Sequence, residues 1–265
     1  MTSAEPTGPT VAACQTDVAD LDPGTNLATM RERVAALPDA VEVALFPEQF
    51  LTGFVPDGRM ADAAVRTDGE AMDTVRDCAA ANDLALLVGY VERGEGAGDG
   101  DLYNAVAYVR PDGSTAVYRK RHLWGGELEV LTTGSERVTV ETPLGETGLV
   151  TCYDLNFVAD SAAFTEGRVD ALFVVGAWPA AHSENWRLLV RARALDGARW
   201  AVACGRTGRR DVPDARTATY GGRSMVARPN GSVHSALADA ERDLVTRCDP
   251  AELAYHRERV GIYRD

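Results

Sequence analysis

The sequence predicts a layered α/β sandwich, in which mixed β-sheets are covered on the outside by helices. Short apolar runs closed by turn residues mark buried strands. Segments with apolar residues at helical spacing alternate with them. Hairpin signals recur between these strand–helix units, so the sheets cannot be purely parallel.

Along the chain, Val11 to Val18 reads as a strand, and Leu27, Met30, Val34 and Leu37 recur at helical spacing. Val43 to Phe46 is an apolar run closed by Pro47, as in a buried strand. Ala71 to Asn82 reads as a helix and Leu84 to Val91 as a strand. The stretch from Gly94 to Asp101 then leads into the strand LYNAVAYV, which predicts a hairpin with a long, mobile tip. Pro111-Asp112-Gly113 signals a turn into the strand from Thr115 to Tyr118. Val138 to Glu141 and Thr147 to Thr151 form a further hairpin, which delivers the chain to Cys152. Ala171 to Val175 is a strand and Glu184 to Leu195 a helix. Trp200 to Cys204, Arg223 to Ala227, Val233 to Ala236 and Asp243 to Cys248 are strands, with a turn at Pro229-Asn230-Gly231 and a short helix after Pro250. No linker divides the chain, so residues 1–265 are expected to form one domain with a flexible N-terminus over residues 1–9. No internal repeat is visible.

Composition narrows the function. An apolar fraction of 45% suits a packed core rather than a disordered chain. No apolar run approaches the roughly 20 residues a membrane-spanning helix needs. The net charge of −13, with no long basic run, argues against a nucleic-acid partner. The five cysteines, Cys14, Cys78, Cys152, Cys204 and Cys248, lie far apart, with no CxxC pair. They predict neither a disulfide framework nor a zinc ribbon. The N-terminus lacks the basic and apolar regions of a signal peptide, so a cytoplasmic location is expected. The four histidines show no metal-ligand spacing, and no metal or organic cofactor is expected. The glycines from Gly94 to Gly100 are interleaved with acids and lead into a strand, which speaks against a phosphate loop.

Three segments place reactive side chains at strand ends, where α/β sheets put their active sites. Cys152 closes an apolar strand, Glu48 follows the run ending at Phe46, and Lys120 leaves the strand before it. A neutral thiol is a poor nucleophile without a base or a cation beside it. Each signal is weak alone, since buried cysteines usually pack and strand-end lysines usually lie at the surface.

Taken together and in order, the segments resemble the nitrilase superfamily, the carbon–nitrogen hydrolases with a Glu–Lys–Cys triad. The resemblance runs from about Val11 to Ser235. It is carried by Gln15 in VAACQTDV, Asn26 in TNL, FPEQFLTGF, LYNAVAYVRPDGSTAVYRKRHLW, ELEVLTTG, CYDLNF, AWP, NWRLLVRARALD and YGGRSMVARPNGSV. It implies a four-layer α-β-β-α sandwich that dimerises. It further implies Cys152 as nucleophile, Glu48 as general base, Lys120 as stabiliser of the oxyanion and Glu127 as the second glutamate. The Tyr153 backbone N–H would be a further oxyanion donor, and Trp178 either lines the pocket or packs. The implied substrate is a small-molecule amide, with a carbamoyl compound or a nitrile as alternatives. An acyltransferase with the same thioester and a non-catalytic scaffold are the rival functions, and retention of all four side chains speaks against the scaffold.

The chain departs from the amidase pattern CYDLRFPE at Asn156, Val158 and Ala159. These changes put the substrates of well-known amidases in doubt for this chain. Trp186 and the other four cysteines are expected to pack in the core. Arg191 and Arg193, two apart on a helix, cannot share a face, and one is expected to hold an ion pair.

Overall fold

Alternation along the first strand sets the architecture. In β1 (Thr10–Gln15), Val11 and Ala13 point to one face and Ala12 and Cys14 to the other, and all four are fully buried. A sheet buried on both faces must be covered twice. The computed structural model, which describes residues 8–94 and 100–263, shows what covers it.

The first half of the chain runs β1, α1 (Pro23–Ala36), β2 (Val41–Leu45), α2 (Arg59–Ala63), α3 (Glu70–Ala81), β3 (Ala85–Arg93), β4 (Leu102–Val109), β5 (Thr115–Arg119) and α4 (Glu127–Val130). The second runs β6 (Thr139–Thr142), β7 (Gly145–Thr151), a 3-10 turn (Cys152–Asn156), α5 (Val158–Glu166), β8 (Ala171–Gly176), α6 (Ser183–Leu195) and β9 (Trp200–Gly205). It continues through the small hairpin β10 (Arg209–Arg210) and β11 (Ala218–Thr219), then β12 (Met225–Ala227), β13 (Val233–Ala236), β14 (Arg242–Arg247) and α7 (Pro250–Val260).

Two six-stranded sheets result, in the orders β14-β1-β2-β3-β4-β5 and β6-β7-β8-β9-β12-β13. In each, three central strands are parallel and the flanking pairs antiparallel. The same arrangement of strand directions therefore occurs twice, except that β6 directly precedes its sheet in sequence whereas the corresponding edge strand β14 returns from the end of the chain. No residue pattern displays the repeat, because strand order depends on connection geometry and not on residue identity.

The sheets pack face to face through Val11, Leu45, Leu87 and Tyr108 on one side and Leu149, Phe173, Val175 and Val202 on the other. Helices α1 and α3 cover the outer face of the first sheet through Met30, Val34, Met72 and Val75. Helices α5 and α6 cover the second through Phe164, Trp186 and Val190. The four-layer α-β-β-α expectation holds. The expected strands, helices and hairpins are present, including β4 over the whole of LYNAVAYV.

Several boundaries differ for local reasons. The first strand ends at Gln15 rather than Val18, because Asp17 caps the next N–H and Asn26 bonds the Ala19 backbone, turning the chain toward α1. The strand expected from Arg223 starts at Met225, since Arg223 adopts φ 62°. Helix α5, whose moderately apolar residues give no strong period, was not anticipated. The expected mobile hairpin tip falls largely on residues 95–99, and the expected flexible N-terminus largely on residues 1–7; both lie outside the described residues. Pro9 is tied down, its carbonyl accepting the Cys248 N–H at 2.9 Å.

Candidate active site

The carboxyl ends of β2, β5, β7 and β8 meet at one end of the sandwich, and each delivers a group to one cluster. The chain leaving β2 turns sharply over β3, and Gly89 lets it do so. A Cβ at Gly89 would stand 2.4 Å from the Pro47 carbonyl oxygen and 2.8 Å from the Glu48 Cα. The Leu51 N–H then bonds the Gly89 carbonyl at 2.9 Å. Gln49, next to Glu48, takes φ 54°, a left-handed conformation that non-glycine residues rarely adopt.

Lys120 follows β5 directly, its N–H bonded to the Asn104 carbonyl at 2.8 Å. Its side chain is 2% exposed. The ammonium donates to Glu48 Oε1 at 2.8 Å and to Glu127 Oε2 at 2.7 Å. A lysine ammonium has three hydrogens, so one remains for a further acceptor.

Cys152 follows β7 and opens the 3-10 turn with φ 49°, a second left-handed position. Strain of this kind persists only where neighbours hold it. Here the holder is Asp154, whose buried carboxylate accepts the Tyr118 hydroxyl at 2.6 Å, the Thr151 N–H at 3.1 Å and the His122 N–H at 3.1 Å. The His122 ring stacks on Phe157, centroids 3.5 Å apart. The buried Cys152 thiol lies close enough to Glu48 and Lys120 to feel both charges. Tyr153, second in the turn, has an N–H with no acceptor inside the turn.

Two side chains not singled out from the sequence complete the cluster. Asn104 Nδ2 donates to Glu48 Oε1 at 2.8 Å and to Glu127 Oε1 at 2.5 Å. Gln49 Nε2 donates to Glu127 Oε1 at 3.1 Å. Two backbone N–H groups add to them, Ala177 on Glu48 Oε2 at 2.7 Å and Trp124 on Glu127 Oε2 at 2.8 Å. The Asn104 signal was present in the sequence, as one polar residue inside an apolar strand.

Charge in this secluded site follows from burial and neighbours. Burial pushes the Glu48 carboxyl up, but the Lys120 charge, the hydrogen bonds from Lys120 and Ala177 and the nearby Cys152 thiol hold it below its ordinary value. Burial, against the pull of Lys120 and with Glu48 adding to it, moves the Glu127 carboxyl up. Burial works against the Lys120 ammonium, yet Glu127 and Glu48 keep its pKa well above the usual lysine value. Burial and then the negative Glu48 push the Cys152 thiol well above its ordinary range. At rest the site pairs an ionised Glu48 with a neutral thiol.

The carbon–nitrogen hydrolase family model matches residues 10–254. The chain belongs to the carbon–nitrogen hydrolase family. This hydrolase is 28% identical over 226 residues to an (R)-stereoselective amidase from Pseudomonas sp, with 85% of this chain and 78% of that one covered. It is 30% identical over 233 residues to the omega-amidase YafV of Yersinia enterocolitica, with 84% of each chain covered. XC1258 from Xanthomonas campestris, a CN-hydrolase superfamily protein with an arsenic adduct in its active site, superposes with a TM-score of 0.84 at 26% identity over 96% of both chains.

The remaining expectations divide. Trp186 is core, 1% exposed, with its indole N–H on the Arg223 carbonyl. Trp178 is half-buried against Trp186, centroids 5.7 Å apart. The other four cysteines of the hydrolase are free and buried. Arg193 pairs with Asp196 at 2.7 Å, while Arg191 donates to the Gly231 carbonyl. Asn156, Val158 and Ala159 are exposed, so the departure from the amidase pattern lies on the outside of the Cys152 turn. Among the described residues one cluster could offer metal ligands, His122, Asp154 and Asp160. Asp160 is paired with Arg121 and Arg137, and Asp154 is occupied by its own donors, so a cation would meet two guanidinium groups there. Among the described residues no helix is long and apolar enough to cross a membrane.

Proposed function

We propose that the protein hydrolyses the amide bond of a small molecule through a thioester on Cys152. The observation that carries this reading is the convergence of buried Cys152 with Glu48 and Lys120, the last two 2.8 Å apart and both acting electrostatically on the thiol. An amide is favoured over a nitrile because an (R)-stereoselective amidase and an omega-amidase are among the relatives, although one relative from Schizosaccharomyces pombe is named a probable nitrilase.

Glu48 takes the thiol proton as the sulfur attacks the carbonyl carbon. The carbonyl electrons move to oxygen, and this oxyanion meets the third Lys120 hydrogen and the Tyr153 N–H. One such donor is typically worth ~3 kcal/mol of barrier. The C–N bond then breaks, the nitrogen takes the proton from Glu48, and ammonia or an amine departs. Glu48 next takes a proton from water, whose oxygen attacks the thioester. Collapse expels the Cys152 sulfur, which recovers its proton from Glu48 and releases the acid. Glu127 positions Lys120, and Trp178 stands beside Ala177 as a candidate pocket wall.

We also propose a homodimer through the outer helical layer, where Val158, Leu188 and Leu195 are 64%, 64% and 50% exposed. Leu188 and Leu195 lie two turns apart on one face of α6.

The test is ammonia release from a panel of small amides, carbamoyl compounds and nitriles, run beside Cys152→Ala. Release from amides by the parent alone is expected. Release from nitriles only would replace the amide reading. Equal release by Cys152→Ala would remove the thioester.

A further inference from the structure

Two buried carboxylates flank one lysine, and either could in principle take the thiol proton. Hydrogen-bond positions separate them. A carboxylate offers about four acceptor positions. On Glu127 all are filled by N–H donors: Lys120 and Trp124 on Oε2 at 2.7 and 2.8 Å, Asn104 and Gln49 on Oε1 at 2.5 and 3.1 Å. Glu48 holds three: Lys120 and Asn104 on Oε1, both at 2.8 Å, and Ala177 on Oε2 at 2.7 Å. Its fourth position takes no N–H donor among the described residues, and the Cys152 thiol is the neighbouring group close enough to use it. Asn104, 1% exposed on β4, is the one neutral side chain common to both acids.

We propose that Asn104 is the positioning residue that makes Glu48, and not Glu127, the base. One Nδ2 hydrogen completes the donor set of Glu127. The other anchors Glu48 Oε1, so that its single open acceptor is presented to sulfur. Burial moves the Glu127 carboxyl up, but a proton placed there would set an O–H against an N–H donor and break a bond already made, so the donor geometry and not the resting charge decides which acid serves the thiol. A proton placed on Glu48 replaces only the S–H contact it came from. The amide also separates two like charges without adding a third. The titratable groups facing this arrangement are Lys120 from the end of β5, Glu127 from α4 and Cys152 from the end of β7. Asp154 lies within the field of Lys120, and Tyr220 within that of Glu48.

The inference rests on the reading of Glu48 as base, and the test keeps the two apart. The probe is iodoacetamide, whose alkylation of Cys152 forms an S–C bond, expels iodide and sends the thiol proton to the base. The Cys152 labelling rate is followed by peptide mass spectrometry across pH for the parent, Glu48→Gln, Asn104→Leu and Asn104→Asp, each checked by thermal melting. In the parent the rate falls at acid pH as Glu48 protonates. Glu48→Gln is expected to label about tenfold or more slowly and to lose that limb. Asn104→Leu is expected to slow labelling and to move the limb up by about half a pH unit or more, since the ionised base loses a donor. Asn104→Asp, nearly isosteric, removes the donors and adds a third negative charge, so it is expected to move the limb further up than the leucine variant; an unshifted limb there overturns the role even if the leucine variant does not fold. Folded Asn104 variants with the parent's limb, beside a Glu48→Gln that has lost it, overturn the role of Asn104 and leave the base standing. A Glu48→Gln that labels like the parent removes the base, and the Asn104 assignment with it.

Discussion

The Tyr118 hydroxyl donates to Asp154 at 2.6 Å and so ties the strand that leads to Lys120 to the turn that begins at Cys152. Both residues are buried, and burial with the adjacent Asp154 charge pushes the Tyr118 phenol far above its ordinary pKa. Tyr118→Phe removes a donor from a buried carboxylate without changing shape. It is expected to lower stability by about 1.5–3 kcal/mol, read from urea unfolding. A loss below half a kcal/mol, on the ordinary scale of neutral surface changes, would show that Asp154 is held without it.

Gly89→Ala tests the crossing of β3 by the glutamate segment. The added methyl has backbone on both sides, Pro47 and Gln49, with no flexible side chain to yield. Displacement of Glu48 by about 1 Å is expected to cost about 100-fold in kcat/KM, measured on the best amide of the panel. Near-parent turnover would mean that the segment can shift without moving the carboxylate.

The pH dependence follows from the directions of the shifts. Glu48 is held below its ordinary value of 4.5, so the proposed base is ionised above that depressed value and is lost as pH falls through it. The acid limb of kcat/KM therefore lies below 4.5. The thiol is raised well above 9.0 and must react through its base, so the alkaline limb is expected above that value. A rate rising through neutral pH, the mark of a free thiolate, contradicts both assignments.

Arg206 and Asp20 make a buried ion pair with contacts of 2.9 and 2.7 Å, and the Arg206 guanidinium lies 4.1 Å from the Tyr220 ring centroid. Asp20 also accepts the Phe54 N–H, which fixes the far end of the segment carrying Glu48. Asp20→Ala leaves a buried guanidinium uncompensated and is expected to destabilise by about 3–5 kcal/mol. Replacing both partners with apolar residues should recover part of that loss in the same unfolding assay.

For the outer helical face, light scattering after size exclusion is expected to give a dimer. Leu188→Glu should shift it toward monomer, because a carboxylate is costly to bury in an apolar contact. A monomeric parent would rule out the dimer.

Much of this molecule is legible from residues alone, and the parts that are not share a cause. The apolar run 102–109 announces its strand because local pattern decides it, and Cys152 announces itself by closing an apolar run with polar residues after it. Side-chain convergence is different. Gln49 and Glu127 are 78 residues apart, and nothing local shows that their tips meet. Asn104 could be noticed as an intruder in a buried strand, but its two carboxylate partners come from β2 and α4. Gly89 reads as an ordinary strand glycine until the loop above it is known. The strand ends at Gln15 and Met225 were misplaced because capping by Asp17 and the left-handed Arg223 override propensity.

The doubled topology carries a division of labour. Glu48, Lys120 and Glu127 belong to the first copy, Cys152 and the Ala177 N–H to the second. The Lys120 bonds to Glu48 and Glu127 are internal to the first half, whereas the Ala177 N–H reaches Glu48 from the second. The first sheet itself waits for its edge strand β14 from the end of the chain, so the full donor set of Glu48 assembles only once nearly the whole chain has been made.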